Sequence, residues 1–397
     1  MKVLAVNAGS SSLKFTAYEM PEEKVLMSGV FERIGINGGF YTIKFNGEKT
    51  KTEIELKDHK QAFELLVKEL KEHNIVEDLS EIKGIGHRIV QGGAYFEKTE
   101  IATDEVIAKI DELSSLAPLH NPAAIVGINA AKATVPEAVQ TVVFDTAFHR
   151  TMPEENYLYA LPYEWDEEYK VRRYGAHGTS HKYVSARMNE LLGRYNTKLI
   201  TCHIGNGASI SAVKDGKCLN TSMGLTPNAG LIMGSRCGDI DATIVPYIME
   251  KTGYTPREMD TILNKKSGLL GISGVSSDSR DIEDGINDGN ERCILAQKMY
   301  VRRIIDYIAK YYVELEGCDA IIFTAGVGEN SVSTRREIID GLKVLGIEIN
   351  EEANNVRGKE QKISSDNSSV PVWIIPTNEE VMIARDTYNL SKEENND

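Results

Sequence analysis

The chain has 397 residues, of which 41% are hydrophobic and 26% charged, and its net charge is −14. That length allows two or three domains with sizeable cores. The acidic balance excludes a general nucleic-acid or anionic-membrane surface, so cations that bind an anion must be gathered in a site.

No apolar run approaches the roughly 18 residues of a membrane span, and the opening Met1–Val6 is too short for a signal-peptide core. The five cysteines, Cys202, Cys218, Cys237, Cys293 and Cys318, are odd in number and form no CxxC pair. They read as reduced thiols of a cytoplasmic protein.

In chain order, strand-like apolar runs come at Val3–Val6, Ile85–Val90, Val142–Phe144, Leu199–His203, Ala320–Thr324 and Val372–Ile375. Helical periodicity fills Gln61–Lys71, Ala123–Ala133 and Arg292–Val313. The alternation predicts an α/β architecture. Tyr41–Leu56 alternates apolar and polar residues about Gly47 and predicts an antiparallel hairpin, which makes the sheet mixed. The polar, acidic stretch Asn389–Asp397 predicts a frayed end.

The chain also echoes itself. VLAVNAGSSSLKF, from Val3, and LITCHIGNGASISAV, from Leu199, both run four strand residues into a polar residue. A small turn centred on Gly9 or Gly205 follows, and then another strand-like stretch. This fits a duplicated fold of two lobes, and it also fits coincidence, because glycine after a strand is common.

Small glycine turns let backbone N–H groups approach an anion, hydroxyls add donors, and a lysine adds a point charge. NAGSSSLK, HIGNGAS and the AGVGENS stretch after Ala320–Thr324 all have this chemistry. None is a Walker A loop, and the GxG at Gly84–Gly86 lacks the third glycine of a dinucleotide fingerprint. Each turn alone reads equally well as an ordinary tight turn; the three together favour a nucleotide cradle.

Polar side chains also interrupt apolar stretches. Arg88 lies in GHRIVQGG, His120 in LAPLHNP, Asp145 in VVFDTAFHRTMP, His177 in RRYGAHGTSH and Arg236 in LIMGSRCGDIDA. A charge at an apolar strand end is costly without a partner or a ligand. Two arginines suit an anionic transition state. Asp145 suits an orienting group or a metal ligand, and His177 a donor to a phosphoryl oxygen. Each alone also has a structural reading, and His149, His203 and Cys237 read as packing residues.

NAGSSSLKF, GHRIVQGG, APLHNPA, FDTAFHRTMP, YGAHGTSH, HIGNGAS, MGSRCGDID, FTAGVGENS and PTNEE, in this order over nearly the whole chain, resemble the acetate kinase family. These are short-chain carboxylate kinases of the sugar-kinase/Hsp70/actin superfamily. The resemblance implies two duplicated α/β lobes with mixed sheets and an active site in the cleft between them. Residues 1–148 and 377–397 would form the N-terminal lobe, with the first phosphate motif and the carboxylate site. Residues 149–376 would form the C-terminal lobe, with the nucleotide site.

The implied reaction is reversible, Mg²⁺-dependent transfer of the ATP γ-phosphoryl group to acetate by a cytoplasmic homodimer, with Mn²⁺ as a substitute metal. Propionate or butyrate is the alternative acceptor, and nucleic acid and membrane are not expected partners. Nothing in the sequence itself marks a dimer interface.

By the same resemblance, Asn7 and Glu379 would place the metal, and Ser10, Ser12 and Lys14 would contact phosphate. Arg88 would bind the carboxylate and Asp145 would position it. His177 and Arg236 would stabilise the transferring phosphoryl group, with His120 in support. His203, Ile204, Gly205, Asn206 and Gly207 would hold the nucleotide. So would Asp278, Ser279 and Arg280, and Gly326, Val327, Gly328, Glu329 and Asn330. Val90, Leu119, Ala176 and Pro227 fall on positions of the apolar acyl pocket.

A carboxylate is already ionised at pH 7, so Asp145 is expected to orient the acceptor rather than take a proton. Positioning and charge neutralisation would supply most of the rate.

The chain departs from the family pattern in places. Ala176 stands where phenylalanine is usual. Ser235, Cys237, Ala242 and Ser279 replace threonine, serine, proline and phenylalanine. Ala176 leaves room beside an acetate methyl, and one more buried CH₂ is worth roughly 0.8 kcal/mol. A neighbouring side chain filling that room would keep acetate the better substrate. A chaperone-like ATPase of the superfamily is the remaining alternative. It would need a peptide-binding domain, which the 18 residues after Glu379 do not supply.

Overall fold

A computed structural model describes residues 1–118 and 120–394. Chain contacts divide it into two units: Met1–Phe148 with the segment from Asn378 onward, and His149–Thr377.

In the first unit, the opening apolar run becomes β1 (Lys2–Gly9), followed by β2 (Ser12–Glu19), β3 (Lys24–Glu32), β4 (Phe40–Phe45) and β5 (Glu48–Glu53). β6 (Ile82–Ile89), β7 (Glu100–Ile101) and β8 (Val139–Phe144) complete a sheet ordered β5-β4-β3-β2-β1-β6-β8-β7. β1 outruns the expected Val3–Val6 because Asn7, Ala8 and Gly9 keep pairing, with Lys14, Leu13 and Ser12. The turn is therefore Ser10–Ser11, and Gly9 is a strand residue.

The Tyr41–Leu56 alternation forms the β4–β5 hairpin. Asn46 and Gly47 at its tip have φ of 48° and 84°. Two consecutive positive φ values are what a tight hairpin turn needs, and Asn-Gly supplies them at low cost. The helices His59–Glu72 and Asn121–Thr134 form where the periodicity predicts them, the first amphipathic and the second apolar over most of its surface. Their apolar residues Phe63, Leu66 and Ala131 join Leu4, Val6 and Phe15 of the sheet in one core cluster.

The polar end is not frayed through Glu394. It forms the helix Glu379–Glu394, in which Ile383, Thr387 and Ser391 are buried. A Cβ built on Gly84 would lie 2.7 Å from both Ser391 Oγ and Thr387 Cγ2. One on Gly86 would lie 2.2 Å from Thr387 Oγ1. The GxG of β6 therefore lets this helix lie flush on the strand; it cradles no dinucleotide. The last three residues lie outside the described ones.

The second unit holds β9 (Lys198–Ile204), β10 (Ala208–Lys214), β11 (Lys217–Thr221), β12 (Ala320–Thr324), β13 (Gln361–Lys362) and β14 (Val372–Ile374). Their order is β11-β10-β9-β12-β14-β13. It repeats β3-β2-β1-β6-β8-β7 of the first unit, direction for direction. The first three strands are antiparallel, the next two parallel, and the last antiparallel. The echo of Val3–Phe15 in Leu199–Val213 is thus a repeated topology, with β4–β5 added to the first copy.

β9 alternates: Ile200, Cys202 and Ile204 enter the core with Ile304, Ile308 and Phe323, which leaves Thr201 and His203 on the opposite side. All five cysteines are free thiols. Among the described residues, no helix is long and apolar enough to cross a membrane.

His87 of β6 is 2% exposed and bonded through Nε2 to Gln140 Oε1 at 2.8 Å. Burial pushes its pKa down from 6.5 to about 4. Between those values the unfolded chain binds a proton that the folded chain does not, so stability falls as pH falls from 6.5 to 4. The loss is about 3 kcal/mol by linkage. Denaturant unfolding at pH 7 and pH 4.5 checks it, and His87→Gln should flatten the acid side of the profile.

Candidate active-site residues

In the first unit, strand register gathers the charges. Asn7 and Lys14 are cross-strand partners on β1 and β2, and Lys14 is ion-paired with Glu380. Ser10 is exposed, Ser12 half-buried. Arg88 is the penultimate residue of β6. Asp145 directly follows β8, and its N–H donates to Ile89 O at 2.9 Å. The parallel β6–β8 pairing thereby places the two side chains in an ion pair.

Asp145 is 1% exposed and Arg88 22%. The Asp145 carboxylate raises the Arg88 pKa further above its ordinary value. The buried Arg88 Nε donates to nothing among the described residues, so one edge of the guanidinium is spent on Asp145 and a donor remains for a ligand carboxylate. Glu379 opens the helix Glu379–Glu394. Burial, and behind it the Asp145 charge, push its carboxyl up to about 7.

Val90 is half-buried just past β6, and His120 is exposed at the start of the helix Asn121–Thr134. Leu119 lies outside the described residues.

In the second unit, His177 caps the helix Gly178–Leu192 with φ of +60°, a left-handed conformation rare outside glycine. Its ring stacks on His203, with centroids 4.0 Å apart, and Nδ1 lies 2.9 Å from Ser209 Oγ. Ser180 Oγ meets His203 Nδ1 at 2.8 Å.

A Cβ on Gly207 would be 3.5 Å from Arg236 Nη1 and 3.6 Å from His177 Nε2, so this glycine lies beside both groups. Arg236 Nη1 donates to Pro227 O at 3.3 Å. Among the described residues no carboxylate pairs with Arg236, and burial lowers its pKa. It is a partly desolvated cation with no counter-charge among them. Ala176 is 5% exposed within the core cluster, and its carbonyl lies 3.0 Å from His149 Nε2.

Beside these residues is a cavity of about 650 Å³. Gly205 and Asn206 line it, as do Asp278, Ser279 and Arg280 at the start of the helix Ser279–Asn287. Gly326, Val327 and Asn330 join them from the short helix Ala325–Asn330 that follows β12.

Five expected nucleotide residues stand behind this wall or beside it. Ile204 is a core residue, its side chain fully buried, because alternation along β9 turns it away from His203. His203 and Gly207 belong with His177 and Arg236. The Gly328 carbonyl accepts from Arg335 Nη1. The Glu329 carboxylate accepts from Ala325 N at 2.7 Å and Thr377 N at 3.2 Å, which fixes the turn.

Several residues at the site escape the sequence motifs. Glu283, Tyr300 and Arg357 also line the cavity, and the buried Tyr300 hydroxyl has no partner among the described residues. Arg335 is fully buried, with only carbonyl and amide oxygens for acceptors: Asn354 Oδ1 and O, Gly328 O and Val356 O, at 2.8–3.0 Å. It ties the glycine turn to the segment that carries Arg357. His181 closes the YGAHGTSH motif but has no role assigned there, although its i, i+4 spacing from His177 is a signal that puts both on one helix face.

Residues 2–385 match the model of the Acetokinase family. The chain belongs to the acetokinase family. An acetate kinase of Bacillus subtilis (strain 168) is 55% identical over 393 residues, 98% of this chain and 100% of that one. Among solved structures, an acetate kinase from Porphyromonas gingivalis superposes with a TM-score of 0.93 at 46% identity, covering 98% and 99% of the two chains. A propionate kinase from Francisella tularensis gives 0.92 at 41%, with the same coverage. Acetokinase-family membership agrees with the mixed α/β architecture of two sheets that share one strand order.

Proposed function

We propose that this acetokinase-family chain transfers the γ-phosphoryl group of ATP to acetate, reversibly, giving acetyl phosphate and ADP. The observation that carries the reading is Arg236: a partly desolvated cation without a counter-charge among the described residues, beside His177 at Gly207. Such a cation suits the spread negative charge of a transferring phosphoryl group. The relatives named acetate kinase supply the acceptor.

Arg88 holds the acceptor carboxylate through the donors that Asp145 leaves, and Asp145 fixes the guanidinium. No general base is needed. Gly205, Asn206, Asp278–Arg280 and Gly326–Asn330 seat the nucleotide. Ser10, Ser12 and Lys14 contact phosphate, and His120 supports the phosphoryl group. By the family resemblance Val90, Ala176 and Pro227 are assigned to the acyl chain, and Leu119, assigned with them, lies outside the described residues.

The residues present fit Mg²⁺. Asn7 offers a neutral oxygen donor. Glu379 is a half-buried carboxylate whose pKa is raised by desolvation and then by the negative charge of Asp145. A cation that takes one or two carboxylates and completes its shell with phosphates and water suits that donor set. When bound, it would neutralise phosphate charge; Mn²⁺ would serve in its place.

A homodimer has a candidate surface in the helix Ile244–Thr252, which buries none of its residues and exposes Ile244 and Tyr247 near exposed Ile240 and Tyr254. An exposed apolar patch of this kind marks an association site. The free thiols fit a cytoplasmic protein.

Propionate is the alternative acceptor that Ala176 raises, and one structural relative is a propionate kinase, but the relatives named acetate kinase do not favour it. A hydroxylamine trap with Mg²⁺, ATP and acetate, propionate or butyrate at equal concentration tests both. The highest kcat/KM for acetate is expected. A higher value for propionate moves the substrate, and no hydroxamate from any of the three sinks the proposal.

A further inference from the structure

Behind His177, hydroxyls and imidazoles form one hydrogen-bonded line. Thr201 Oγ1 lies 2.7 Å from His181 Nδ1, His181 Nε2 2.8 Å from Ser209 Oγ, and Ser209 Oγ 2.9 Å from His177 Nδ1. Thr201 is on β9 and Ser209 on β10, while His177 and His181 are about one turn apart at the start of one helix. Thr201, Ser209 and His181 are all fully buried.

Each hydroxyl carries one proton. Burial pushes the His181 pKa well below its ordinary value, so that ring carries one N–H. A Ser209 that accepted from both rings would leave its own buried proton without an acceptor among the described residues, so the line runs in one of two directions. Running inward, from His177 to Thr201, it leaves the Thr201 proton to the Ser211 carbonyl at 3.4 Å, long for an O–H···O bond. Running outward, every proton is used over 2.7–2.9 Å. Thr201 then donates to His181 Nδ1, His181 Nε2–H donates to Ser209, and Ser209 donates to His177 Nδ1. The proton of His177 is left on Nε2, the atom on the Gly207 and Arg236 side.

We propose that Thr201, His181 and Ser209 are positioning residues that fix His177 as its Nε2–H tautomer, so that the ring presents a hydrogen-bond donor to the transferring phosphoryl group. The phosphoryl role rests on the proposed function; the tautomer rests on the geometry alone. Other contacts steady the line. His203 stacks on His177, and His149 stands edge-on to His181 with centroids 5.7 Å apart.

The test is nitrogen-15 NMR of the full-length protein, with the His177 ring signals assigned by their loss in His177→Gln. The expected spectrum has Nε2 protonated and Nδ1 unprotonated, and a proton found on Nδ1 overturns the proposal. Ser209→Ala should remove the preference and lower kcat about 10- to 100-fold, with the KM for ATP within about twofold. An unchanged kcat overturns the positioning role. Should Ser209→Ala not fold, the wild-type spectrum decides alone. A wild type with the expected tautomer that makes no acyl phosphate overturns the proposed function and the phosphoryl role, and leaves the tautomer standing.

Discussion

Arg236→Ala is expected to lower kcat about 10³-fold or more while leaving the protein at least as stable as before. The rate loss follows from the scale of an arginine that meets phosphoryl charge, roughly 10³–10⁵. The stability follows from the surroundings of the side chain. Arg236 is partly desolvated, and among the described residues it pairs with no carboxylate and makes one direct bond to a carbonyl, with a longer contact to Met233 Sδ. Removing an uncompensated cation relieves a desolvation cost and leaves no charged partner behind. Turnover by the hydroxylamine trap and the midpoint of thermal unfolding read the two effects separately. Normal turnover, or a collapsed midpoint, would count against the role given to Arg236.

Arg88→Ala should behave differently. Activity should again fall, by about 10²–10³, but here the fold should weaken by about 3–5 kcal/mol. Asp145 is 1% exposed and Glu379 is half-buried, its carboxyl already raised by the Asp145 charge, so losing the guanidinium strands negative charge. A second substitution separates the two effects. In Arg88→Ala with Asp145→Ala, much of the stability should return and none of the activity, because the stranded charge goes but the donor fork does not come back. If Arg88→Ala and Arg236→Ala shift the unfolding midpoint equally, the distinction between the paired and the unpaired arginine fails.

Much of the fold and of the site is legible in the order of the amino acids. Helices and strands of strong periodicity stand where the pattern predicts them, with ends that move by up to three residues, mostly outward, while Val90 and Ile375 fall just outside their strands. Ala320–Thr324 is a strand over its whole predicted length. The Asn-Gly hairpin is legible because the turn has its own local chemistry. The echo between Val3 and Leu199 is legible because each copy repeats a strand, a turn and a strand. What escapes depends on what lies across the fold. Arg335 sits in VSTRREIIDG next to another arginine and looks like a solvent-facing charge, yet it is fully buried and bonded to oxygens up to 21 residues away. His181 looks like an ordinary helix residue because Thr201 and Ser209, which give it meaning, come from two strands. The motif sets Ile204 beside the nucleotide, but side-chain alternation along β9 puts it in the core.

The flush packing of Glu379–Glu394 against Gly84 and Gly86 also sets the order in which the molecule can be finished during synthesis. Domains generally fold as they emerge, the earliest first. Here the first unit begins with β1 and β6, but the helix that covers β6 is encoded beyond residue 378. Everything the second unit needs, from His149 to Thr377, is made before that helix. A ribosome therefore holds a chain whose later half can fold while its earlier half still exposes a bare strand face. The unit begun first is completed last, and it stays open to chaperones and proteases longest.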